Sequence, residues 1–197
     1  MNNRCLQILV VFISSTFLLC CKKDSASSPL PIFKTYTIFK GKNYADGFDS
    51  THIVFIKTND LKFIAKFDSS AIYSTFISSN QIDVNKLYGF SDNNSDHHLF
   101  SARMGWAWYN NTLNLFGYTY NNGVRSILNL GVYSIGTNLN CRIQTDTATK
   151  SYYFTVNGKT KSMPRAAKTS AGSGYRLYPY FGGDEPAPHT VTIQISE

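Results

Sequence analysis

The chain has 197 residues and a formal net charge of +7, because 19 Lys and Arg residues stand against 12 Asp and Glu residues. Hydrophobic residues make up 43% and charged residues 16% of the chain, which excludes intrinsic disorder and indicates one globular domain. The 13 Tyr and 14 Phe residues favour β-sheet. The positive balance alone is compatible with a nucleic acid, a membrane surface or an acidic polysaccharide as partner.

The first twenty residues have the pattern of an export signal. Arg4 is the only charged residue before Lys22, and residues 6–19 are mostly apolar. This run is shorter than the ~20 residues of a membrane-spanning helix. It ends in Leu18-Leu19-Cys20-Cys21, which resembles the signal of a bacterial lipoprotein, where a cysteine that follows a leucine and a small residue receives the lipid.

The lipoprotein resemblance implies a signal peptide over residues 1–20 and a lipidated tether over residues 21–31. We assign Cys21 as the acylated residue, and acylation of Cys20 is the alternative. The implied location is the cell envelope, on the outer membrane or the cell surface, with the membrane as a partner. Cleavage would leave Cys141 as the one free thiol, which is more typical of a small core residue than of a nucleophile.

The remainder of the chain is predicted to consist of short strands. Ten stretches rich in β-branched and aromatic residues are separated by turn signals, and several alternate between apolar and polar residues. They are residues 32–40, 51–57, 61–67, 71–77, 99–108, 112–120, 124–130, 141–145, 152–156 and 190–195. One short helix is predicted over residues 80–87. Hairpin turns are predicted at residues 57–61, at 121–123 and at Asn157-Gly158.

Ten strands with almost no helix are compatible with two folds, an antiparallel sandwich and a closed barrel. We predict the sandwich, which forms a single domain over residues 32–197. Residues 152–159, YYFTVNGK, resemble a hairpin of concanavalin A-like jelly rolls, a group that includes laminin G-type domains, lectins, family 16 glycosidases and alginate-lyase-type enzymes. Residues 178–189 resemble an ending found in secreted lipoproteins of this type. These resemblances imply an all-β, antiparallel jelly-roll β-sandwich.

A candidate binding face follows from alternation along residues 97–109. The residues at alternate positions from His98 to Trp108 are almost all apolar, and we predict that they face the core. Arg103 lies between two of these positions and is therefore predicted to point to the other face of the sheet. Tyrosine rings can stack on a sugar, and an arginine fork suits a uronate or a sulfate. The candidate carbohydrate-binding residues are Ser101, Arg103, Asn114, Tyr118 and Tyr120. The reverse arrangement, with Phe116 and the tyrosines in the core, remains open at this point.

Two polar segments contain oxygen ligands of the kind that calcium prefers. The candidate metal ligands are Asp92, Asn94, Asp96, Asp184 and Glu185. The first segment is otherwise explained as a surface turn, and the second as a rigid corner before the last strand. We therefore predict no cofactor, and calcium is the alternative. His97 and His98 point to opposite faces if they lie in a strand, and they then cannot share a metal without a bend.

Catalytic motifs are incomplete. A glycosidase needs two carboxylates that flank the scissile bond, and no strand carries the ExDxE-like pair of family 16 glycosidases. Residues 80–83 resemble the Q-I-H segment of alginate lyases, but Asp83 stands in place of the catalytic histidine. Residues 180–183 resemble the start of the lyase Y-F-K-A-G motif without its lysine. Tyr180 as proton donor and His189 as base are the remaining catalytic candidates.

We therefore expect a lipid-anchored, monomeric cell-envelope protein that binds a carbohydrate, preferentially an acidic polysaccharide, and is not an enzyme. The alternatives are a polysaccharide lyase or glycoside hydrolase on the same fold, and a structural or adhesive lipoprotein without a glycan site. Nucleic acid is not expected as a partner, because the basic residues are scattered along the sequence.

Overall fold

The computed structural model describes residues 30–197, so the predicted signal peptide and the acylation candidates Cys20 and Cys21 lie outside the described residues. Pro31–Glu197 form one compact unit. Within this described part, no helix is long and apolar enough to cross a bilayer.

The described chain is built from twelve strands and two short 3-10 helices, Ser69–Ala71 and Ser78–Ile82. The strands are β1 (Lys34–Ile38), β2 (Phe55–Thr58), β3 (Asp60–Phe67), β4 (Asn85–Ser91), β5 (Phe100–Tyr109), β6 (Thr112–Asn121), β7 (Val124–Tyr133), β8 (Leu139–Asp146), β9 (Ser151–Val156), β10 (Lys159–Pro164), β11 (Gly172–Leu177) and β12 (Val191–Ser196).

These strands form two antiparallel sheets of six strands. Sheet A has the order β1-β12-β3-β8-β9-β10, and sheet B has the order β2-β11-β4-β5-β6-β7. Neighbours in sequence pair from β4 to β7 and from β8 to β10, whereas β11 and β12 return to lie beside β4 and β3. The predicted all-β, antiparallel jelly-roll β-sandwich is confirmed.

One hydrophobic core lies between the sheets. Sheet B contributes Met104 and Trp106 from β5, both fully buried, and the Trp106 ring lies 5.2 Å from that of Phe67 in sheet A. Leu113 and Leu115 of β6 are also fully buried in this core. The leucines therefore face inward, which settles the orientation of β6 that the sequence left open. Cys141 is buried and free, and burial raises the pKa of its thiol.

Three two-residue turns close hairpins: Asn110-Asn111, Asn122-Gly123 and Asn157-Gly158. All six residues have positive φ, which asparagine and glycine adopt at low cost and a type I′ turn requires. The last two turns were predicted. The predicted hairpin at residues 57–61 is wrong, because Asn59 alone joins β2 in sheet B to β3 in sheet A. The Asn59 carbonyl and side chain bind Thr145 of β8, so the chain passes directly into sheet A.

The predicted strand over residues 71–77 is not formed, because side chains take its backbone hydrogen bonds. Gln81 binds the backbone of Tyr73 and Thr75, and Glu185 accepts from the N–H groups of Phe76 and Ile77. Backbone groups that are paired in this way need no neighbouring strand.

The predicted helix over residues 80–87 is also wrong, since the chain there makes a 3-10 turn and then enters β4. Pairing with β5 and β11 on either side outweighs the weak local preference for helix. Three strands were not predicted: β4, β10 and β11. The edge strand β10 is mostly exposed, and β11 contains two glycines.

Candidate functional site

Sheet B presents a polar and aromatic face on the side away from the core, centred on Arg103 in β5. Arg103 pairs with Gly89 in β4 and with Tyr118 in β6. A Cβ atom added at Gly89 would collide with the Cα and Cβ atoms of Arg103. The missing side chain therefore leaves room for Arg103 at the middle of the sheet. We call this surface, with Lys86, Tyr120, Tyr175 and Tyr180 around Arg103, the Arg103 face.

The Arg103 face is more closed than the sequence indicated. The sequence analysis expected Ser101, Arg103 and Tyr118 on an exposed surface, but their exposed fractions are 0%, 6% and 3%. The cause is lateral packing of long side chains. The Arg103 guanidinium carbon lies 5.1 Å from the centre of the Tyr118 ring, whose other ring neighbour, Tyr120, is 5.9 Å away. Lys86 Nζ lies 5.5 Å from the centre of the same Tyr118 ring.

Arg103 is buried without a counter-ion in the described part of the chain. No carboxylate forms a salt bridge with it there, and its Nε has no hydrogen-bond partner. Ser101 Oγ, two residues earlier on the same face, also lacks a partner. Buried polar groups in native proteins are nearly always paired, because an unpaired one costs free energy. Arg103 Nε and Ser101 Oγ are two of the five buried side-chain atoms without a partner in the described chain, and these two lie on the same face of sheet B.

The charge around Arg103 is positive. Burial and, to a smaller extent, the Arg103 charge lower the pKa of Lys86 to about 8, although Asp83 and Asp184 act in the opposite direction. Lys86 Nζ donates to the Gly182 carbonyl at 2.5 Å, which fixes the ammonium at the edge of the face. The surrounding tyrosines stay neutral at physiological pH, because burial raises the pKa of Tyr118, Tyr175 and Tyr180.

Asn114 lies on the same side of β6 as Tyr118 and Tyr120, but its side-chain amide nitrogen bonds the β5–β6 turn. Its side-chain amide donates to the backbone carbonyls of Tyr109 and Thr112 at 3.1 and 3.0 Å. These bonds stabilise the β5–β6 turn, so the Asn114 donors are already used. The prediction of Asn114 as a ligand contact is replaced by a role in the hairpin.

Asp92 is a structural ion-pair partner and not an available calcium ligand. Its carboxylate is fully buried and forms a salt bridge with the Arg165 guanidinium at 2.8 Å. It also accepts from the hydroxyls of Tyr152 and Thr169 and from the Ser173 N–H. Burial alone would raise the pKa of Asp92, but the hydrogen bonds from Arg165 and Tyr152 hold it below its ordinary value.

The side chains of the first calcium candidate do not converge on a common centre. Asn94 is exposed in a turn where its φ is positive, while Asp92 points into the protein. The second candidate is also explained by the fold. Glu185 accepts from the backbone N–H groups of Phe76 and Ile77, and Asp184 is exposed beside Asp83.

His97 and His98 lie in a turn before β5, so both rings reach the same region. The two ring centres are 4.1 Å apart. The chain therefore has the bend that the two histidines need in order to share a metal ion. His97 Nδ1 lies 2.7 Å from the Tyr175 hydroxyl, and the His98 ring packs edge-on against Tyr120 at 5.3 Å. Burial and the Arg103 charge lower the pKa of His97 to about 4, so its imidazole is neutral at pH 7.

The two catalytic candidates occupy different surroundings. Backbone hydrogen bonds between Tyr180 and Lys86 carry the Tyr180 ring to the Arg103 face, 5.4 Å from Lys86 Nζ. His189 lies before β12, with Nε2 2.9 Å from the Ser70 carbonyl oxygen. No hydrogen bond joins Tyr180 to His189 in the part of the chain that the structure describes.

Sequence reasoning missed Lys86 and Tyr175, which complete the Arg103 face. Both lie on strands that were not predicted, β4 and β11, so alternation could not place them. A signal did exist in the glycines at 89, 172 and 174, because central strands use glycine where another chain segment approaches closely. Gly172 and Gly174 approach Phe90 and Ser91 of β4 in this way.

Several solved structures resemble the described chain at low similarity. One is a sialidase, with 13% identity and a TM-score of 0.47, where the match covers 83% of this chain and 15% of that one. Another is the CBM40 of the Ruminococcus gnavus IT-sialidase bound to alpha2,3 sialyllactose, with 10% identity and a TM-score of 0.37, covering 84% of this chain and 91% of that one. A further structure of that CBM40 has 11% identity and a TM-score of 0.34, with coverage of 84% and 91%.

No family model and no curated protein matches the sequence. This chain spans about 15% of the length of the sialidase that it resembles. Similarity at this level says nothing about a shared ligand, so the assignment of a function depends on the Arg103 face itself.

Proposed function

We propose that this is a lipid-anchored cell-envelope protein that binds an acidic glycan at the Arg103 face and does not act on it chemically. The observation that carries the proposal is the buried Arg103 guanidinium without a counter-ion. Burying a charge without a partner lowers the free energy of unfolding. An anionic ligand that pairs with the charge recovers this free energy when it binds. A carboxylate or sulfate on a sugar supplies both the missing charge and the missing acceptors.

The residues around Arg103 supply the other contacts that a sugar needs. The guanidinium fork can donate two parallel hydrogen bonds to a carboxylate. Tyr120 and Tyr175 are partly exposed and offer flat apolar rings with a hydroxyl rim, which suit the face of a pyranose. Lys86 adds a second positive charge beside the rings. A neutral sugar would leave the Arg103 charge uncompensated, so acidic glycans are preferred.

The lipid anchor is supported by the sequence of the N-terminus. Cys21 follows Leu18 at the distance that a lipoprotein signal requires, and residues 21–31 would tether the sandwich to a bilayer. Lys22 and Lys23 beside the lipid would each add ~1 kcal/mol of attraction to an anionic membrane. The glycan-binding domain would then act at the envelope surface.

The first test compares acidic glycans with neutral counterparts. The purified full chain in detergent is titrated calorimetrically with oligogalacturonate, its methyl ester, α2,3-sialyllactose and lactose. We expect saturable binding of at least one acidic sugar and at least ~10-fold weaker binding of its neutral counterpart, because a charge-assisted hydrogen bond contributes ~1.5–3 kcal/mol.

Two outcomes contradict the proposal. Absence of binding to every acidic sugar, including an array of sulfated and uronate polysaccharides, favours a structural or adhesive lipoprotein. Formation of unsaturated uronates or new reducing ends during the titration favours a polysaccharide lyase or a glycoside hydrolase.

The affinity for an acidic glycan is expected to fall as the pH rises from about 7 to about 9. Lys86, whose pKa is about 8, is positive below that pH and neutral above it, so its attraction to an anion is lost across this range. Its neighbour Arg103 stays charged across this range, and burial lowers the pKa of His97 to about 4, well below it. Titration calorimetry at several pH values measures the effect, which we expect to be a few-fold.

Lys86→Met is expected to bind more weakly at pH 7 and to lose most of this pH dependence. The matched control is Lys62→Met, on the outer side of sheet A, where the lysine side chain is 68% exposed. This control should keep the wild-type profile. An unchanged pH profile in Lys86→Met would remove Lys86 from the site.

A further inference from the structure

The loop before β5 brings three metal-binding side chains together at the edge of the Arg103 face. Asp96, His97 and His98 each offer a ligand atom, and these atoms lie within 4.8 Å of one another. Both imidazoles turn Nδ1 toward the carboxylate. The distance from His97 Nδ1 to Asp96 Oδ2 is 3.7 Å, and that from His98 Nδ1 to Asp96 Oδ1 is 3.5 Å.

We propose that Asp96, His97 and His98 bind one divalent transition-metal ion of the zinc class. Ligands at ~2.0–2.1 Å from a tetrahedral zinc ion lie ~3.4 Å apart. The two separations from Asp96 are close to this ligand–ligand distance, and all three ligand atoms lie within 4.8 Å of one another, so rotations of the side chains would close the site. Three protein ligands leave a fourth position open to solvent.

The loop conformation explains how three consecutive residues converge. Asp96 Oδ1 accepts from the His98 backbone N–H at 2.7 Å, and the Asp96 carbonyl accepts from Leu99 and Phe100. These bonds fold the chain into a tight turn immediately before β5. His97 and His98 are therefore on one side of the turn, whereas an extended strand would have separated them.

A neighbouring strand holds the ligands in place. The Tyr175 hydroxyl on β11 lies 2.7 Å from His97 Nδ1 and 3.4 Å from Asp96 Oδ2. A metal ion would use the lone pair of His97 Nδ1, so Tyr175 would give up its bond to that nitrogen and keep the one to Asp96 Oδ2, which orients the carboxylate. The His98 ring is supported by Tyr120.

The ligand set favours zinc, copper or nickel over calcium. Imidazole nitrogens suit these transition metals, whereas calcium takes six to eight oxygen ligands. This proposal does not depend on glycan binding, because the three ligands belong to the loop and not to the contacts expected for a sugar.

The test is titration of the full chain, purified without a polyhistidine tag and treated with a chelator, with ZnCl₂, CaCl₂ and CoCl₂. We expect one Zn²⁺ per chain, no competition by Ca²⁺, and visible absorbance of bound Co²⁺ typical of four or five ligands. His98→Ala should weaken Zn²⁺ binding at least ~10-fold and remove the Co²⁺ absorbance. This variant should fold, because the His98 side chain is 65% exposed.

The matched control is His52→Ala, which removes another exposed histidine, one that packs against Phe48 and Tyr178. It should bind Zn²⁺ as the wild type does. Absence of saturable Zn²⁺ binding, equal affinity in His98→Ala and wild type, or displacement of Zn²⁺ by Ca²⁺ would each overturn the proposal.

Discussion

Arg103→Met is expected to weaken acidic-glycan binding by about 10- to 100-fold without lowering the stability of the fold. The loss of affinity follows from removing charge-assisted hydrogen bonds worth ~1.5–3 kcal/mol. The stability should stay the same or rise, because methionine fills the space between Gly89 and Tyr118 and removes a buried charge that lacks a counter-ion. Calorimetry with the acidic sugar and urea denaturation of the same preparation measure both effects.

The combination of lost binding and retained stability distinguishes a ligand contact from a structural arginine. Arg103→Lys should fall between wild type and Arg103→Met, since it keeps the charge but not the fork. Arg142→Met is the matched control on the outer side of sheet A, where Arg142 pairs with Asp60, and it should bind the sugar normally. Unchanged affinity in Arg103→Met would reject the site, and a loss of more than ~3 kcal/mol of stability would make Arg103 a structural residue.

Strands β5 and β6 were predictable because their residues repeat with a period of two. Along β5 the alternation of Ala102, Met104 and Trp106 with polar or small residues identifies the core side directly. The turns at Asn122-Gly123 and Asn157-Gly158 are equally clear, since they need positive φ. Local sequence alone carries these features.

The elements that were missed depend on distant parts of the chain. Residues 71–77 have the composition of a strand, but Glu185 and Gln81 take their backbone hydrogen bonds. The central position of β4 is fixed by its pairing with β5 and β11. Neither effect leaves a mark in the local pattern.

The candidate site shows the same division. Alternation grouped Tyr118 and Tyr120 on one face of β6 but left open whether that face or the leucine face lies in the core, and the structure places the leucines in the core and Tyr118 beside Arg103. Alternation could not predict that Arg103 is buried, because Lys86 and Tyr175 come from β4 and β11, two of the three strands that were missed. The unpaired guanidinium, which is the main argument for a charged ligand, therefore appears only in three dimensions.

The Asp92–Arg165 pair connects the two sheets at the edge where the loop 92–99 begins. Asp92 follows β4 in sheet B, and Arg165 follows β10 in sheet A. Tyr152 of β9 and Ser173 of β11 bind the same carboxylate. Because Asp92 begins the loop that carries His97, this pair also fixes the position of the proposed metal ligands.

Asp92→Asn is expected to reduce the free energy of unfolding by ~3–5 kcal/mol, the cost of leaving a buried charge without its partner. The side-chain NH₂ group of an asparagine would also face groups that now donate hydrogen bonds to Asp92, including Arg165 and the Ser173 N–H. Urea denaturation at pH 7 measures the loss. Asp60→Asn, which breaks the more exposed pair with Arg142, is the control and should cost much less, because water screens that pair.

The pH dependence gives a second check on Asp92. Its pKa is lower in the folded protein than in the unfolded chain, so its contribution is fully present above the unfolded value of about 3.9 and is lost as the pH falls through the lower folded value. Asp92→Asn should lack this part of the acid destabilisation. Arg165→Met should be similarly damaging alone, and the double variant should lose less than the sum of the two. Additive losses would show that the two side chains do not form an energetically coupled pair.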